Sequence, residues 1–148
     1  MLINSLVLGI DLGTTGLRIA IINTKKEILH TSSKAYPTGL ELWEDWIYCL
    51  KMLIQEIPKD LKEKLVACSV AGTSGTLLAC KNNGEPMGKA LPYFLSFQEY
   101  SNELDNLFSK ECSGSSISGS VARALKLIAL YDNEIILRHQ ADWISGWL

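Results

Sequence analysis

The stretch from Leu6 to Asn23 constrains the fold most, because it holds two apolar runs separated by a short turn rich in glycine and threonine. The first run, Leu6 to Ile10, is nearly continuous, which is typical of a strand buried on both faces. The second run, Leu17 to Ile22, is apolar and rich in β-branched residues and predicts another strand. A P-loop and a dinucleotide-binding fingerprint both open a helix after their glycines, so neither matches this strand–turn–strand pattern.

The turn between the two runs has the residue types of a phosphate-binding loop. Gly13 and Gly16 allow a ligand to approach the backbone closely, and they allow positive φ where the turn requires it. Successive backbone N–H groups in such a turn can form an anion-binding concavity, and the hydroxyls of Thr14 and Thr15 add donors. Asp11 offers a carboxylate suited to Mg²⁺, usually through water. The functional interpretation is a magnesium and phosphate hairpin, and the alternative is a plain β-hairpin that begins with an aspartate turn.

Hydrophobic periodicity and turn residues predict the other elements. The expected strands are Glu27–Tyr36, Leu65–Val70 (buried) and Thr76–Cys80, and the expected helices are Glu41–Ile57, Gln98–Glu111 and Ser120–Tyr131, with Glu134–Gln140 continuing helically. A charged connection is expected over Lys59–Lys64, and Trp43 and Trp46 are expected in the core. Three strands, a helix and a further parallel strand indicate an α/β sandwich rather than an all-β barrel.

A second small polar turn, Gly72-Thr73-Ser74-Gly75, follows a predicted strand. Its hydroxyl groups could hydrogen-bond a polyol without steric conflict. The alternative is an ordinary β-turn, and the residues alone leave both interpretations open.

Composition narrows the class of protein. A chain of 148 residues with 47% hydrophobic residues can form one domain with a substantial core. A net charge of −2 gives no reason to expect nucleic-acid or acidic-membrane binding, and no apolar run has transmembrane length, so the expected location is the cytoplasm. The four cysteines and two histidines lack zinc-site spacing, and the cysteines are expected to be reduced and mostly buried.

Several motifs carry a family resemblance. Gly9-Ile10-Asp11-Leu12-Gly13-Thr14-Thr15 resembles the first phosphate motif of the actin/Hsp70/sugar-kinase superfamily, and Gly16-Leu17-Arg18 continues it as in the FGGY carbohydrate kinases. The turn Gly72-Thr73-Ser74-Gly75 resembles the part of these kinases that borders the sugar site, and its residues look most like those of the xylulose/ribulose branch. Later segments that resemble this family are Asn83-Gly84-Glu85-Pro86, the helix from Ser118 to Ile128, and Ala141 to Leu148. The resemblance implies a ribonuclease-H-like α/β domain with a mixed five-stranded sheet flanked by helices. It also implies that residues 1–148 are an N-terminal domain incomplete at its C-terminal end, without the nucleotide-side domain.

The resemblance further implies ATP- and Mg²⁺-dependent phosphorylation of a sugar, a pentulose or a related carbohydrate. The implied site residues are Asp11 for the metal, Gly13, Thr14, Thr15 and Gly16 for phosphate, and Thr73, Ser74 and Tyr93 for sugar. The catalytic base of the family would lie beyond Leu148, so the chain alone is expected to be a poor kinase or none. The expected partners are sugar and ATP, with no nucleic acid or membrane, and a homodimer could form through the surface left by the missing domain.

The segment after the second turn departs from the family pattern. Tyr93 matches an aromatic position, but Leu95 stands where the family has a carboxylate and Phe97 where it has a basic residue. This departure favours a second hypothesis, a non-catalytic pseudokinase or ligand-binding remnant. A third hypothesis, a fragment of an Hsp70-like ATPase, is supported by the Asp11–Thr15 hairpin alone.

Overall fold

A computed structural model describes residues 5–131 and 134–148 of the chain. The contacts among these residues divide the chain into two compact units. The first unit reaches to Gly72, and the second runs from Thr73 to Trp147. None of the helices in the described ranges is long and apolar enough to cross a membrane.

The first unit is a four-stranded mixed sheet with a helical crossover. Its elements are β1 (Leu6–Leu12), β2 (Gly16–Asn23), β3 (Ile28–Ala35), α1 (Trp43–Glu56), the short α2 (Lys59–Lys62) and β4 (Leu65–Gly72). The strand order is β3-β2-β1-β4, in which β1 pairs antiparallel with β2 and parallel with β4, and β2 pairs antiparallel with β3. The predicted three antiparallel strands, the helix and the return to a parallel strand are therefore confirmed.

One face of this sheet forms the core of the first unit. Alternate residues of β1 and β2 point to it and are buried: Leu6, Leu8, Ile10, Leu12, Leu17, Ile19 and Ile21. Helix α1 packs on β2 and β3, and its Trp46 is fully buried, with Nε1 donating a hydrogen bond to the Leu40 carbonyl (3.0 Å). The predicted core position of Trp46 is thus confirmed.

Two expectations about the burial of strands β1 and β4 are wrong. In β1, Val7 and Gly9 are half-buried and Asp11 is exposed, so the strand is buried on one face rather than on both. Strand β4 is mostly exposed, with Val66 58% accessible, because it lies at the sheet edge and pairs on one side with β1. The apolar sequence of β4 therefore indicated strand correctly and burial wrongly.

The second unit combines a small sheet with helices. Its elements are β5 (Leu77–Cys80), 3₁₀ turns at Gln98–Tyr100 and Ser113–Ser115, α3 (Ser101–Leu107), α4 (Ser120–Tyr131), β6 (Ile136–His139) and α5 (Gln140–Trp147). Strands β5 and β6 pair antiparallel, from Leu77 opposite His139 to Cys80 opposite Ile136. Leu77 and Ala79 of β5 pack with Leu127 of α4 in a buried cluster.

Several sequence expectations for this unit and its boundary are wrong. The predicted single sheet of five strands is a sheet of four and a separate sheet of two, because β5 pairs with β6. The predicted helix over Glu134–Gln140 is largely strand β6, because the backbone of Ile136–His139 pairs with β5. The helix expected over Gln98–Glu111 is shorter and ends at Leu107, where Phe108 becomes extended. In the first unit, the charged connection expected over Lys59–Lys64 is mostly exposed, and it contains the helical turn α2.

The cysteines also differ from expectation. All four lie in the described ranges as free thiols, with Cys49 and Cys80 buried and Cys68 and Cys112 exposed. Two of the four, rather than most of them, are therefore core residues.

Candidate functional site

The β1–β2 hairpin has the tight turn that its sequence predicts. The two strands stay in register to the end of the ladder, with Asp11 opposite Arg18 and Leu12 opposite Leu17. The amide of Gly13 donates to the carbonyl of Gly16 at 2.9 Å and closes the turn. Thr14 and Thr15 between them are exposed, so this loop presents its hydroxyl-bearing residues at the surface.

Crowding rather than φ favours glycine at these two positions of the turn, and most strongly at Gly16. The positive-φ glycines of the described chain are Gly75, Gly84 and Gly88, so the expectation of positive φ at Gly13 or Gly16 is wrong. A Cβ on Gly16 would collide with the Lys34 carbonyl oxygen on β3. A Cβ on Gly13 would lie 3.2 Å from the Gly16 carbonyl oxygen. Glycine at these positions lets the backbone of the turn pack against its neighbours.

Asp11 stands beside the turn with an accessible carboxylate. Its nearest cation is its cross-strand neighbour Arg18, with 3.7 Å between Oδ2 and Nε, and both side chains are more than half exposed. Such an exposed ion pair is weak, so the Asp11 oxygens stay available to another cation. Asp11 and Arg18 both line a cavity of about 670 Å³ on the face of the sheet opposite the core. Sequence reasoning did not select Arg18 as a site residue, although its position opposite Asp11 in a hairpin was the available signal.

A hydrated magnesium ion fits this arrangement better than a metal held by protein ligands. Within the described residues, no group of three or more His, Cys, Asp or Glu side chains is placed to hold a metal. Mg²⁺ is commonly bound by one or two carboxylates, with water and phosphate oxygens completing its octahedron. Asp11 beside a glycine–threonine turn supplies that kind of incomplete ligand set.

In the second unit, the polar turn after β4 is held by buried side chains. Gln140 is fully buried, and its Oε1 accepts hydrogen bonds from the Thr73 amide (3.1 Å) and hydroxyl (2.9 Å). The Thr73 hydroxyl also lies 2.7 Å from that of Thr76, which in turn accepts a bond from the Tyr93 amide. Thr73 therefore orders the turn through internal contacts, while Ser74 is exposed.

Arg123 of helix α4 joins this turn to the Tyr93 segment. It is 2% exposed, and its Nε donates to the carbonyl of Gly75 at 2.6 Å. Its Nη1 donates to the carbonyls of Tyr93 (2.8 Å), Leu95 (3.2 Å) and Ser118 (2.7 Å). Burial lowers the pKa of the guanidinium from its ordinary value. Sequence reasoning missed both Arg123 and Gln140, because their partners are backbone and side-chain groups from distant parts of the chain.

These contacts surround a cavity of about 420 Å³. Ser74, Tyr93 and Arg123 all line it, together with Gly75 and residues 113, 114 and 118–121 around the start of α4. The structure thus brings Ser74 and Tyr93 together, whereas Thr73 supports the turn from behind. The hairpin residues Asp11 and 13–16 belong to the first unit and these residues to the second.

Leu95 and Phe97, which stand where the resemblance implies charged residues, are half-buried. The Leu95 carbonyl accepts a hydrogen bond from Arg123, and the centre of the Phe97 ring lies 5.9 Å from the Lys126 Nζ. Both residues thus have packing or backbone roles here.

Solved structures of sugar kinases share this fold. No protein-family model matches the chain. A xylulose kinase from Brucella ovis (14% identity, TM-score 0.80) and one from Rhodospirillum rubrum (15%, 0.77) each align with 97% of this chain and 34% of their own. A Plasmodium falciparum glycerol kinase with ADP (15%, 0.72) aligns with 95% of this chain and 33% of its own. The chain therefore has the α/β fold of carbohydrate kinases and spans about a third of the length of these structures.

Proposed function

We propose that this chain is part of an ATP-dependent carbohydrate kinase of the FGGY type, which transfers a phosphoryl group to a sugar hydroxyl. The observation that carries the proposal is the β1–β2 hairpin. It combines an exposed aspartate with a glycine–threonine turn, on a fold that sugar kinases share. The chain spans about a third of those enzymes, so the activity belongs to the complete protein.

The hairpin would bind the phosphates of ATP. In the proposed complex the backbone N–H groups of residues 14–16 and the hydroxyls of Thr14 and Thr15 donate to phosphate oxygens, while the Gly13 N–H keeps its hydrogen bond to the Gly16 carbonyl. Asp11 holds Mg²⁺ through water, and Arg18 adds a positive charge at the edge of the turn. Magnesium, when bound, neutralises the charge that develops on the transferred phosphoryl group.

The cavity of the second unit would bind the sugar. Ser74 and Tyr93 line it and present a hydroxyl and an aromatic ring, which suit the polar edges and apolar faces of a polyol. Thr73 keeps the turn in place through Gln140. None of the described residues that line the cavity is acidic, so we place the base that accepts the hydroxyl proton outside residues 1–148. In this proposal residues 1–148 are part of the N-terminal domain and do not turn over substrate alone.

Titration of the 148-residue chain with MgATP tests the hairpin. We expect the amide resonances of Thr14 and Thr15 to shift, and the Asp11→Asn variant to bind MgATP at least about tenfold more weakly, equivalent to about 1.4 kcal/mol. Asp60→Asn, which changes an exposed aspartate on α2, is the matched control and should bind as the wild type does. Equal affinity for Asp11→Asn and wild type would remove Asp11 from the metal site.

A second candidate function, a non-catalytic ligand-binding domain, is favoured by Leu95 and Phe97 in place of charged residues. This candidate predicts binding of sugar or nucleotide without ADP production, or no binding at all. The kinase proposal predicts that both ligands bind, each to its own unit, and that the complete protein produces ADP. An assay of ADP production by the complete protein with sugar and MgATP separates the two functions.

A further inference from the structure

We infer that another cavity of the second unit, beside helix α5, binds a free α-amino acid with an apolar side chain. The inference goes beyond the proposed function and does not depend on it, because this cavity shares no lining residue with the one at Ser74 and Tyr93. It follows from two opposite charges, an exposed indole and two glycines, all of which line the cavity.

Two segments that have no role in the proposed function meet at this cavity. The turn at Asn83 and Gly84 forms one wall, and helix α5 forms another. Trp143 of α5 is 8% exposed, and its indole N–H donates to the Gly84 carbonyl at 3.0 Å. This bond joins the two walls, so the cavity is shaped before a ligand arrives, which lowers the cost of binding.

The cavity has the size of a small amino acid. Its volume is about 260 Å³, which at about 30 Å³ for each water of the liquid corresponds to about nine water molecules. A molecule such as leucine occupies a comparable space. A Cβ on Gly84 or on Gly146 would meet no atom within 4 Å, so neither glycine of the lining is pressed by a neighbour.

Two opposite charges line the cavity without pairing. Arg138 lies on β6 and Asp142 in the first turn of α5, and both are exposed. Within the described part of the chain, neither side chain forms an ion pair. They are the charged residues among the described residues of the lining, so the charges of the wall sum to zero. A ligand with one carboxylate and one ammonium group neutralises both through charge-assisted hydrogen bonds.

Trp147 gives the cavity an apolar surface. It is the last residue of α5, it lines the cavity and it is 41% exposed. The rise of a helix places it about 7.5 Å along the axis from Asp142, a spacing comparable with the length of leucine. With the ammonium group of the ligand at Asp142, the ligand side chain can therefore contact the indole.

The polar groups favour an amino acid over a neutral sugar. A neutral polyol would hydrogen-bond to the wall but would leave the guanidinium and the carboxylate without counter-charges. The Asn83 Oδ1 already accepts a hydrogen bond from the Glu85 amide at 3.0 Å. The Asn83 side chain therefore meets a ligand with its NH₂ group, a donor that suits a carboxylate.

The test compares three ligands that differ in their charged groups. L-leucine carries both charges, L-leucinamide lacks the carboxylate, and isocaproate lacks the ammonium group. In calorimetry or ligand-observed NMR with the 148-residue chain, we expect L-leucine to bind at least about fivefold more tightly than either of the others, since each lost charge pair is exposed.

Two charge variants should give opposite patterns. Arg138→Gln should weaken the binding of L-leucine and isocaproate at least about fivefold and change that of L-leucinamide less than about twofold. Asp142→Asn should weaken L-leucine and L-leucinamide and spare isocaproate. A general loss of structure would weaken all three ligands alike. Asp105→Asn, at an exposed position of α3, is the matched control and should bind each ligand as the wild type does.

Gly146→Leu tests the location of the site without changing a charge. Because a Cβ at this position would meet no atom within 4 Å, the fold should tolerate the side chain, which would occupy the cavity and prevent binding of L-leucine. The indole resonance of Trp143 reports whether the two walls remain joined.

Equal affinity for the three ligands, or no detectable binding of L-leucine, would overturn the inference. Wild-type affinity for L-leucine in Gly146→Leu would also overturn it, because the ligand would then bind elsewhere. The response to MgATP that depends on Asp11 should stay unchanged in all of these variants, so a failure of the proposed function would appear separately.

Discussion

Replacing Arg123 by methionine is the most informative test of how the second unit is organised. The guanidinium donates to four carbonyls on three separate segments: the turn at Gly75, the Tyr93–Leu95 segment and the loop at Ser118. Methionine retains much of the apolar volume of arginine but donates no hydrogen bond. The Arg123→Met variant therefore removes the link between these segments without leaving a large cavity.

The expected cost depends on which carbonyls water can reach in the variant. Tyr93 and Ser118 are exposed residues, so their carbonyls can be hydrated. Gly75 is buried and Leu95 half-buried, so their carbonyls would be left without a partner. Each such group costs about 1–3 kcal/mol, so the two together should lower the free energy of unfolding by about 4 kcal/mol. For a protein of this size that corresponds to a decrease in Tm of about 8–16 °C.

Urea unfolding followed by NMR measures this loss for the second unit separately. The indole N–H of Trp143 donates to the Gly84 carbonyl at 3.0 Å, so its resonance reports on that unit. Arg138→Met is the matched control, because Arg138 is exposed on β6 and its replacement should change stability by less than about 0.5 kcal/mol. If Arg123→Met lost no more than Arg138→Met, the guanidinium would not hold the three segments together.

Two further predictions concern the first unit and the thiols. Gly16→Ala should lower the free energy of unfolding by about 1–3 kcal/mol, since its Cβ would meet the backbone of β3; a thermal melt that matches wild type would contradict this. Burial raises the pKa of the Cys49 and Cys80 thiols, so a disulfide reagent at pH 8 should modify two thiols, Cys68 and Cys112, in the folded chain and all four in urea. Because the unfolded chain ionises these two thiols at lower pH than the folded chain does, stability is unaffected below the ordinary thiol pKa and falls as the pH rises from that value to the raised pKa of the folded state.

The sequence predicted the first unit well because its signals are local. The β1–β2 hairpin follows from two apolar runs around one glycine turn, and α1 follows from an apolar stripe that repeats every three or four residues. Both patterns need only neighbouring residues to be interpreted. The exposure of β4 depends instead on its place at the edge of the sheet, which its own residues do not specify.

The second unit was harder to predict because its partners are distant in the chain. Ile136–His139 is four residues long and fits a helix or a strand, and its pairing with β5 decides between them. The same holds for the candidate site. Asp11 and the turn 13–16 could be recognised from one short motif. Arg123 and Gln140 could not, because their importance comes from carbonyl and amide groups that the fold brings to them.

The parallel pairing of β4 with β1 has a consequence for the order of folding. The β1–β2 hairpin closes a short loop, whereas β4 can reach β1 only after β2, β3 and α1 have been added to the chain. Non-local pairing of this kind is slow, because a long loop must be closed before its contacts form. During synthesis the outer edge of β1 therefore stays unpaired until Gly72 has left the ribosome, and over that interval the nascent chain is most exposed to strand exchange with its neighbours.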